Sequence, residues 1–333
     1  MALLQEIFIF FNPCYVFEFS EKNLCVHYLT ELDNEKTIEA LINQLKNQCP
    51  FTAGPKSPIN IKSRVSKEEY IECVNSIKNH IQRGDIYEMN YCLEYFAENV
   101  LIDPTIVYNE LNNLSPMPFS ANFHIDEYSL MCASPERFLA KRKNKIISQP
   151  IKGTAKRGSN KKEDFLLAES LKNNPKEQAE NVMIVDLVRN DLSKTAQRGS
   201  VMVEELFGIK TFRQLHQMES TITSEIKKDL HFTEVIKNAF PMGSMTGAPK
   251  IRAMELIEEY EKTKRGIYSG SVGYITPEGD FDFNVIIRSI LYNAKNRYLS
   301  FMAGSAITGG ADAEKEYEEC LLKILAMKKV LGD

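Results

Sequence analysis

The chain has 333 residues, 43% hydrophobic and 26% charged, with a formal net charge of −4. This is an ordinary globular composition, and the slight acidity implies no broad basic face for nucleic acid. The longest apolar run, over 7–11, is far too short to span a bilayer.

In chain order, residues 7–19 and 24–29 are rich in Phe, Ile, Val and Tyr and are expected to be strands. A helix is expected over 38–45. Residues 50–58, with Gly54 and Pro55, form the best linker and divide a short N-terminal portion (1–60) from a main domain (61–333). Ser66-x-x-Glu69 is a capping box. It opens a helix carrying Tyr70, Val74, Ile77 and Ile81 at helical spacing and stopping at Gly84. A strand over 86–98 follows, then a helix from Pro104 to about Leu114. Paired strands over 119–124 and 129–133 lead into Ser134-Pro135-Glu136-Arg137. Strands over 138–148 close on Gln149-Pro150-Ile151-Lys152-Gly153-Thr154. The basic stretch from there to Asp164 reads as a solvated loop or as a mobile lid. Helices are expected over 161–172 and from Pro175 to about Leu192, the second with Asn174 as N-cap. Strands over 201–212 and 220–226 and a helix over 232–239 come next. Strand pairs and helices without strict βαβ alternation define an α+β fold, antiparallel sheets flanked by helices around a central cleft.

Seven cysteines, at 14, 25, 49, 73, 92, 132 and 320, form no Cys-x-x-Cys pair and suit neither zinc nor a disulfide frame. They read as free thiols of a reducing cytoplasm. The N-terminus lacks the charged start and long apolar core of a signal peptide.

Three groups of residues carry chemistry. Glu177 and Glu180 lie three apart on one helix face, and Glu316 and Glu319 repeat the spacing on the last helix. There Tyr317, Leu321, Ile324 and Leu325 mark a separate core face. Either pair alone is what a solvated helix face also displays, but two pairs together supply oxygen ligands suited to magnesium. Gly243-Ser-Met-Thr-Gly-Ala-Pro-Lys250 places two glycines before a helix expected from Pro249 to about Lys264. Its exposed N–H groups form an anion site, or merely a helix cap. The spacing is not that of a Walker A loop. Arg288 ends an apolar strand over 285–287 and is able to hold a carboxylate bidentately. A second Gly-rich run, over 303–310, lacks the Gly-x-Gly-x-x-Gly spacing of a dinucleotide loop.

Pro150-Ile-Lys-Gly-Thr154, the stretch Glu180 to Asp191, Gly243 to Lys250, and Tyr268-Ser-Gly-Ser-Val-Gly-Tyr274 together resemble the chorismate-binding enzymes, the family of anthranilate synthase component I. The resemblance covers roughly residues 65–330. It implies chorismate, a small dianion, as substrate. It implies magnesium, held mainly by Glu180 and Glu319, with Glu177 and Glu316 behind them through water. Gly153, Thr154, Gly247, Lys250, Arg288, Gly304, Ser305 and Ala306 are implied to bind substrate, and Glu136 to act as acid and base. Lys152 stands where anthranilate synthases usually carry alanine. A lysine there marks the members that aminate C4 of the ring, a transaminase-class reaction on the route to p-aminobenzoate and folate. The amine attacks C2 while the C4 hydroxyl leaves; ammonia then adds at C4 and expels the lysine. Its pKa is accordingly expected to be depressed. Gln217 replaces a histidine associated with pyruvate release in anthranilate synthases. Ammonia is expected from a separate glutamine amidotransferase subunit, because the chain has no nucleophile elbow of its own. Glu88 stands where the family often has Gln and is not expected to touch the chemistry. The same holds for the stretch 310–314.

Overall fold

A computed structural model of the protein describes residues 9–47, 59–213 and 215–332. The chain divides into two compact units, Leu4–Pro55 and Lys56–Asp333. The linker expected over 50–58 lies outside the described residues.

The small unit pairs β1 (Tyr15–Phe19) antiparallel with β2 (Leu24–Tyr28) and adds α1 (Glu35–Lys46). The Asn34 side chain accepts from the Thr37 N–H and caps that helix. The first strand begins later than expected, after Pro13, which cannot donate to a ladder.

The large unit begins with β3 (Lys62–Ser63), α2 (Lys67–Arg83), β4 (Glu88–Ala97), α3 (Pro104–Leu114), β5 (Phe119–Ile125) and β6 (Tyr128–Ser134). There follow β7 (Arg137–Arg142), β8 (Lys145–Gln149), β9 (Ile151–Lys156), α4 (Lys161–Lys172) and α5 (Pro175–Ser193). Next come β10 (Met202–Thr211), β11 (Leu215–Glu225), α6 (Phe232–Ala239), β12 (Gly247–Ala248) and α7 (Lys250–Tyr260). The last elements are β13 (Gly273–Ile275), β14 (Phe281–Asn284), β15 (Ser289–Asn293), β16 (Tyr298–Thr308) and α8 (Ala313–Leu331).

Two antiparallel sheets organise it. One runs β12-β4-β16-β15-β6-β5, with β3 also on β4; the other runs β10-β11-β8-β7-β14-β13, with β9 also on β11. Every residue of β4 is buried, as befits a strand covered on both faces. One core packs α2, α3, α7 and α8 against the first sheet. The other joins inward residues of both sheets to α5 and α6. The capping box of α2 is complete, Gly84 ends the helix at φ +82°, and Tyr70, Val74 and Ile77 are buried. Each stabilises by roughly 1.5–3 kcal/mol.

Three expectations need correction. The strand of 285–287 is instead a crossover between β14 and β15, while the Gly-rich run over 303–308 forms the end of β16. α7 stops at Tyr260, where Glu261 leaves helical geometry and its carboxylate takes two bonds from Arg265. On α8 the core stripe is Cys320, Ile324, Met327 and Leu331, whereas Leu321 and Leu325 are exposed. Glu316 lies on that buried stripe. No helix among the described residues is long and apolar enough to cross a membrane.

Candidate active site

Two crossovers between the sheets run side by side. Pro135 and Glu136 join β6 to β7, and residues 285–288 join β14 to β15. The Val285 N–H donates to the Glu136 carbonyl at 3.0 Å and the Ala133 N–H to the Arg288 carbonyl at 3.2 Å. Glu136 is 3% exposed. Burial pushes its carboxyl up to about 7, against the lowering effects of Ser244 and Lys152. Arg288 sits at φ +52°, a left-handed conformation uncommon for a bulky residue. Desolvation lowers its pKa, with Tyr268 and Glu319 opposing. It remains a guanidinium, and its side chain forms no ion pair with a carboxylate among the described residues.

Lys152 lies on β9, which β11 holds by pairing Gln217 with Thr154 and Glu219 with Ile151. Its Nζ donates to Glu88 Oε1 at 2.6 Å, and the two side chains are 10% and 1% exposed. Burial pulls the amine's pKa down, but Glu88, Glu180 and Glu319 together carry it above the usual lysine value. The expected depression is therefore reversed: this cleft, as described, holds Lys152 as an ammonium. Gly153 has φ +90°, and a Cβ there would lie 2.8 Å from Glu177 Oε2. The glycine lets β9 approach α5.

The four acidic side chains on α5 and α8 do converge. Lys176 Nζ lies 3.7 Å from Glu180 Oε1 and donates to Glu316 Oε1 at 3.1 Å. Ser305 donates to the other Glu316 oxygen. Burial pushes Glu180 up to about 7 and raises Glu177. Burial also acts on Glu319, but Lys323, bonded at 2.6 Å, holds it below the ordinary value. Glu319 keeps 45% of its side chain exposed at the rim. Among the described residues no three Asp, Glu, His or Cys side chains close into a ready ligand set. Glu180 Oε1 is nevertheless buried without a hydrogen-bond partner among the described residues, and an ammonium stands between the helices. One or two carboxylates completed by water are donors suited to magnesium.

The remaining expected residues serve the fold. Lys250 donates to Asp191, to the Ala239 carbonyl at 3.1 Å and to the Pro241 carbonyl at 2.7 Å, so the structure does not bring it to the cleft. The Thr246 hydroxyl donates to the Met242 carbonyl, and Gly247 and Ala248 pair with β4, so much of the expected anion loop is spent on its own backbone. Gly247 backs Glu88: a Cβ there would lie 2.1 Å from the Glu88 carbonyl oxygen. Gly304 keeps β16 clear of Asn90 and Cys92, and Ala306 is buried opposite Asn90. Thr154 is exposed on β9. The stretch after it is short, with residues 157–160 separating β9 from α4. Asp164 accepts from Arg157 Nε and Nη2 at 2.7 Å and from the Gly158 N–H, and lies 2.9 Å from His216 Nε2.

Sequence reasoning set aside Glu88 and passed over Lys176. The first had no signal, since its partner is 64 residues away. The second had one: it precedes Glu180 by four on a helix. Gln217 carries a buried Oε1 with no hydrogen-bond partner among the described residues.

A family profile described as chorismate binding enzyme matches residues 5–329. This chain belongs to the chorismate-binding enzyme family. A probable aminodeoxychorismate synthase, chloroplastic, of Oryza sativa subsp. japonica is 43% identical over 271 residues, 80% of this chain and 30% of that protein. Aminodeoxychorismate synthase component 1 of Klebsiella aerogenes is 38% identical over 263 residues, 79% of this chain and 58% of that protein. The chain thus spans less than two thirds of either relative. The crystal structure of anthranilate synthase component I from Streptococcus pneumoniae TIGR4 superposes with a TM-score of 0.82 at 28% identity, covering 93% of this chain and 71% of that one.

Proposed function

We propose that this chain converts chorismate and ammonia to 4-amino-4-deoxychorismate and water, the reaction of an aminodeoxychorismate synthase component 1. One observation carries the reading: a buried amine, Lys152, shares a cleft with a carboxyl, Glu136, pushed up to about 7. A group with that pKa is suited to give and retake a proton near neutrality. In the first step Lys152, having released its ammonium proton to solvent, bonds through Nζ to ring C2, the two ring double bonds shift, and the C4–O bond breaks. Glu136 donates the proton that lets the hydroxyl leave as water. In the second step ammonia bonds to C4, the double bonds shift back, and the C2–Nζ bond breaks to return the lysine. The proton released by the new amine restores Glu136. Arg288, with no carboxylate of its own, receives one carboxylate of the dianion. Glu180 and Glu319, with Glu177 and Glu316 beside them, would hold magnesium, which would offset carboxylate charge of the substrate. Relatives named as component 1 support a partner subunit, which in this reading is a glutamine amidotransferase supplying the ammonia. The reading puts the reaction in a reducing cytoplasm on the route to folate, consistent with six free thiols among the described residues.

The test is one incubation of the purified protein with chorismate, magnesium and ammonium at mildly alkaline pH. A product that gives p-aminobenzoate only after a lyase is added is expected. Fluorescent anthranilate with pyruvate would overturn the reading.

A further inference from the structure

The pair Glu88–Lys152 differs from the other buried ion pairs. Arg265 spreads its donors over Glu261 and two carbonyls, and Lys250 over Asp191 and two carbonyls. Glu88 Oε1 accepts from Lys152, while Oε2 is buried with no hydrogen-bond partner among the described residues. A buried carboxylate with an unsatisfied oxygen costs stability, so the fold alone does not account for it. Its position is nonetheless tightly set. Glu88 is clamped between Ala248 of β12 and Thr308 of β16, with Gly247 against its carbonyl.

We propose that Glu88 is the positioning residue of Lys152, anchoring the amine in the cleft and, as its counter-ion, setting the pH at which that amine loses its proton. The proposal rests on Lys152 being the nucleophile. Other charged groups face the amine from the packed elements: Glu177 and Glu180 on α5, Glu319 on α8, and Glu136 on the crossover, while Lys176 and Glu316 lie against Glu180 and each other. Glu88 alone is in hydrogen-bond contact, and contact is where a carboxylate most favours the charged form. It is also where an amide differs: glutamine keeps a hydrogen-bond acceptor for the amine but carries no charge. Relatives with Gln at this place would therefore hold the same lysine with a weaker grip on its proton.

The experiment follows the pH dependence of Lys152 labelling by trinitrobenzenesulfonate, mapped by peptide mass spectrometry, alongside kcat and KM for chorismate across pH. In Glu88→Gln the labelling curve should move to lower pH by about one unit, with kcat at the optimum kept within several-fold. In Glu88→Asp, which keeps the charge but shortens the reach, the curve should stay near the parent's while kcat falls. Glu88→Ala should lose ~10-fold or more in kcat at every pH, with KM nearly unchanged. An unmoved labelling curve in Glu88→Gln, or full kcat in Glu88→Ala, overturns the proposal. Labelling needs no turnover, so it judges the pair separately; loss of the nucleophile reading would appear instead as C4 amination surviving Lys152→Ala.

Discussion

Lys152 and Lys250 each sit in a glycine-containing motif, each is nearly buried, and each faces a carboxylate, yet their surroundings are opposite in kind. Lys250 meets three acceptors for its three protons: Asp191 and two backbone carbonyls. Burial holds its pKa below the usual lysine range despite Asp191. Lys152 meets one acceptor and is surrounded by carboxylates that carry its pKa the other way. A lysine whose donors are all consumed by the fold is a strut. A lysine held by a single side chain has two donors left for a ligand. The motif residue type does not separate the two; the count of acceptors does.

The largest expected effect is on turnover. Lys152→Ala should keep chorismate binding but lose C4 amination on the order of 10³-fold or more, measured by coupled p-aminobenzoate formation. Unchanged turnover would make Lys152 a strut as well. Lys250→Met should do the reverse. It removes one of the two ammonium partners of buried Asp191, leaving Lys194 at 3.1 Å, and should cost about 1–3 kcal/mol in a denaturant titration, while kcat per folded molecule stays at the parent value. Loss of kcat without loss of stability would return Lys250 to the cleft.

Glu136→Gln sharpens the contrast through pH. In the fold this carboxyl is raised from 4.5 to about 7, so the native state keeps a proton that the unfolded chain has released. Its contribution is fully present below pH 4.5 and is lost as pH rises through about 7. The variant has no such loss. Its melting temperature should therefore gain on the parent's between pH 5 and pH 8, by up to roughly 3 kcal/mol in stability. A constant offset across that range would contradict the buried acid. The smallest effect belongs to an exposed pair: Lys62 and Glu98 are 52% and 54% exposed, and Lys62→Ala should change stability by less than about 0.5 kcal/mol.

Local features of the fold were legible in sequence because local contacts make them. The α2 capping box joins residues three apart, and β5 and β6 pair across a tight turn. The reason for the small residues around Gly304 was not legible in sequence. Their actual cause is the close passage of Asn90 and Cys92 on a strand more than two hundred residues earlier in the chain. On α8, Leu321 and Leu325 share a spacing with Ile324 but face outward, while Glu316 takes a place on the buried stripe beside β16. Of the site, the residue types and helix-face spacing of Glu177, Glu180, Glu316 and Glu319 were readable, since each pair is local. The partners of Lys152 and Lys250 were not, because they arrive from 64 and 59 residues away.

The paired crossovers carry one more consequence. Glu136 and Arg288 are mounted on neighbouring bridges between the same two sheets, tied by backbone hydrogen bonds and by Ser134, whose hydroxyl donates to the Val285 carbonyl at 2.6 Å. Backbone-to-backbone ties are indifferent to side-chain identity. Sequence drift on either sheet face is therefore insulated from the spacing between these two groups. The fold works as a gauge block, able to change its filling over evolutionary time while the interval it was built to hold stays the same.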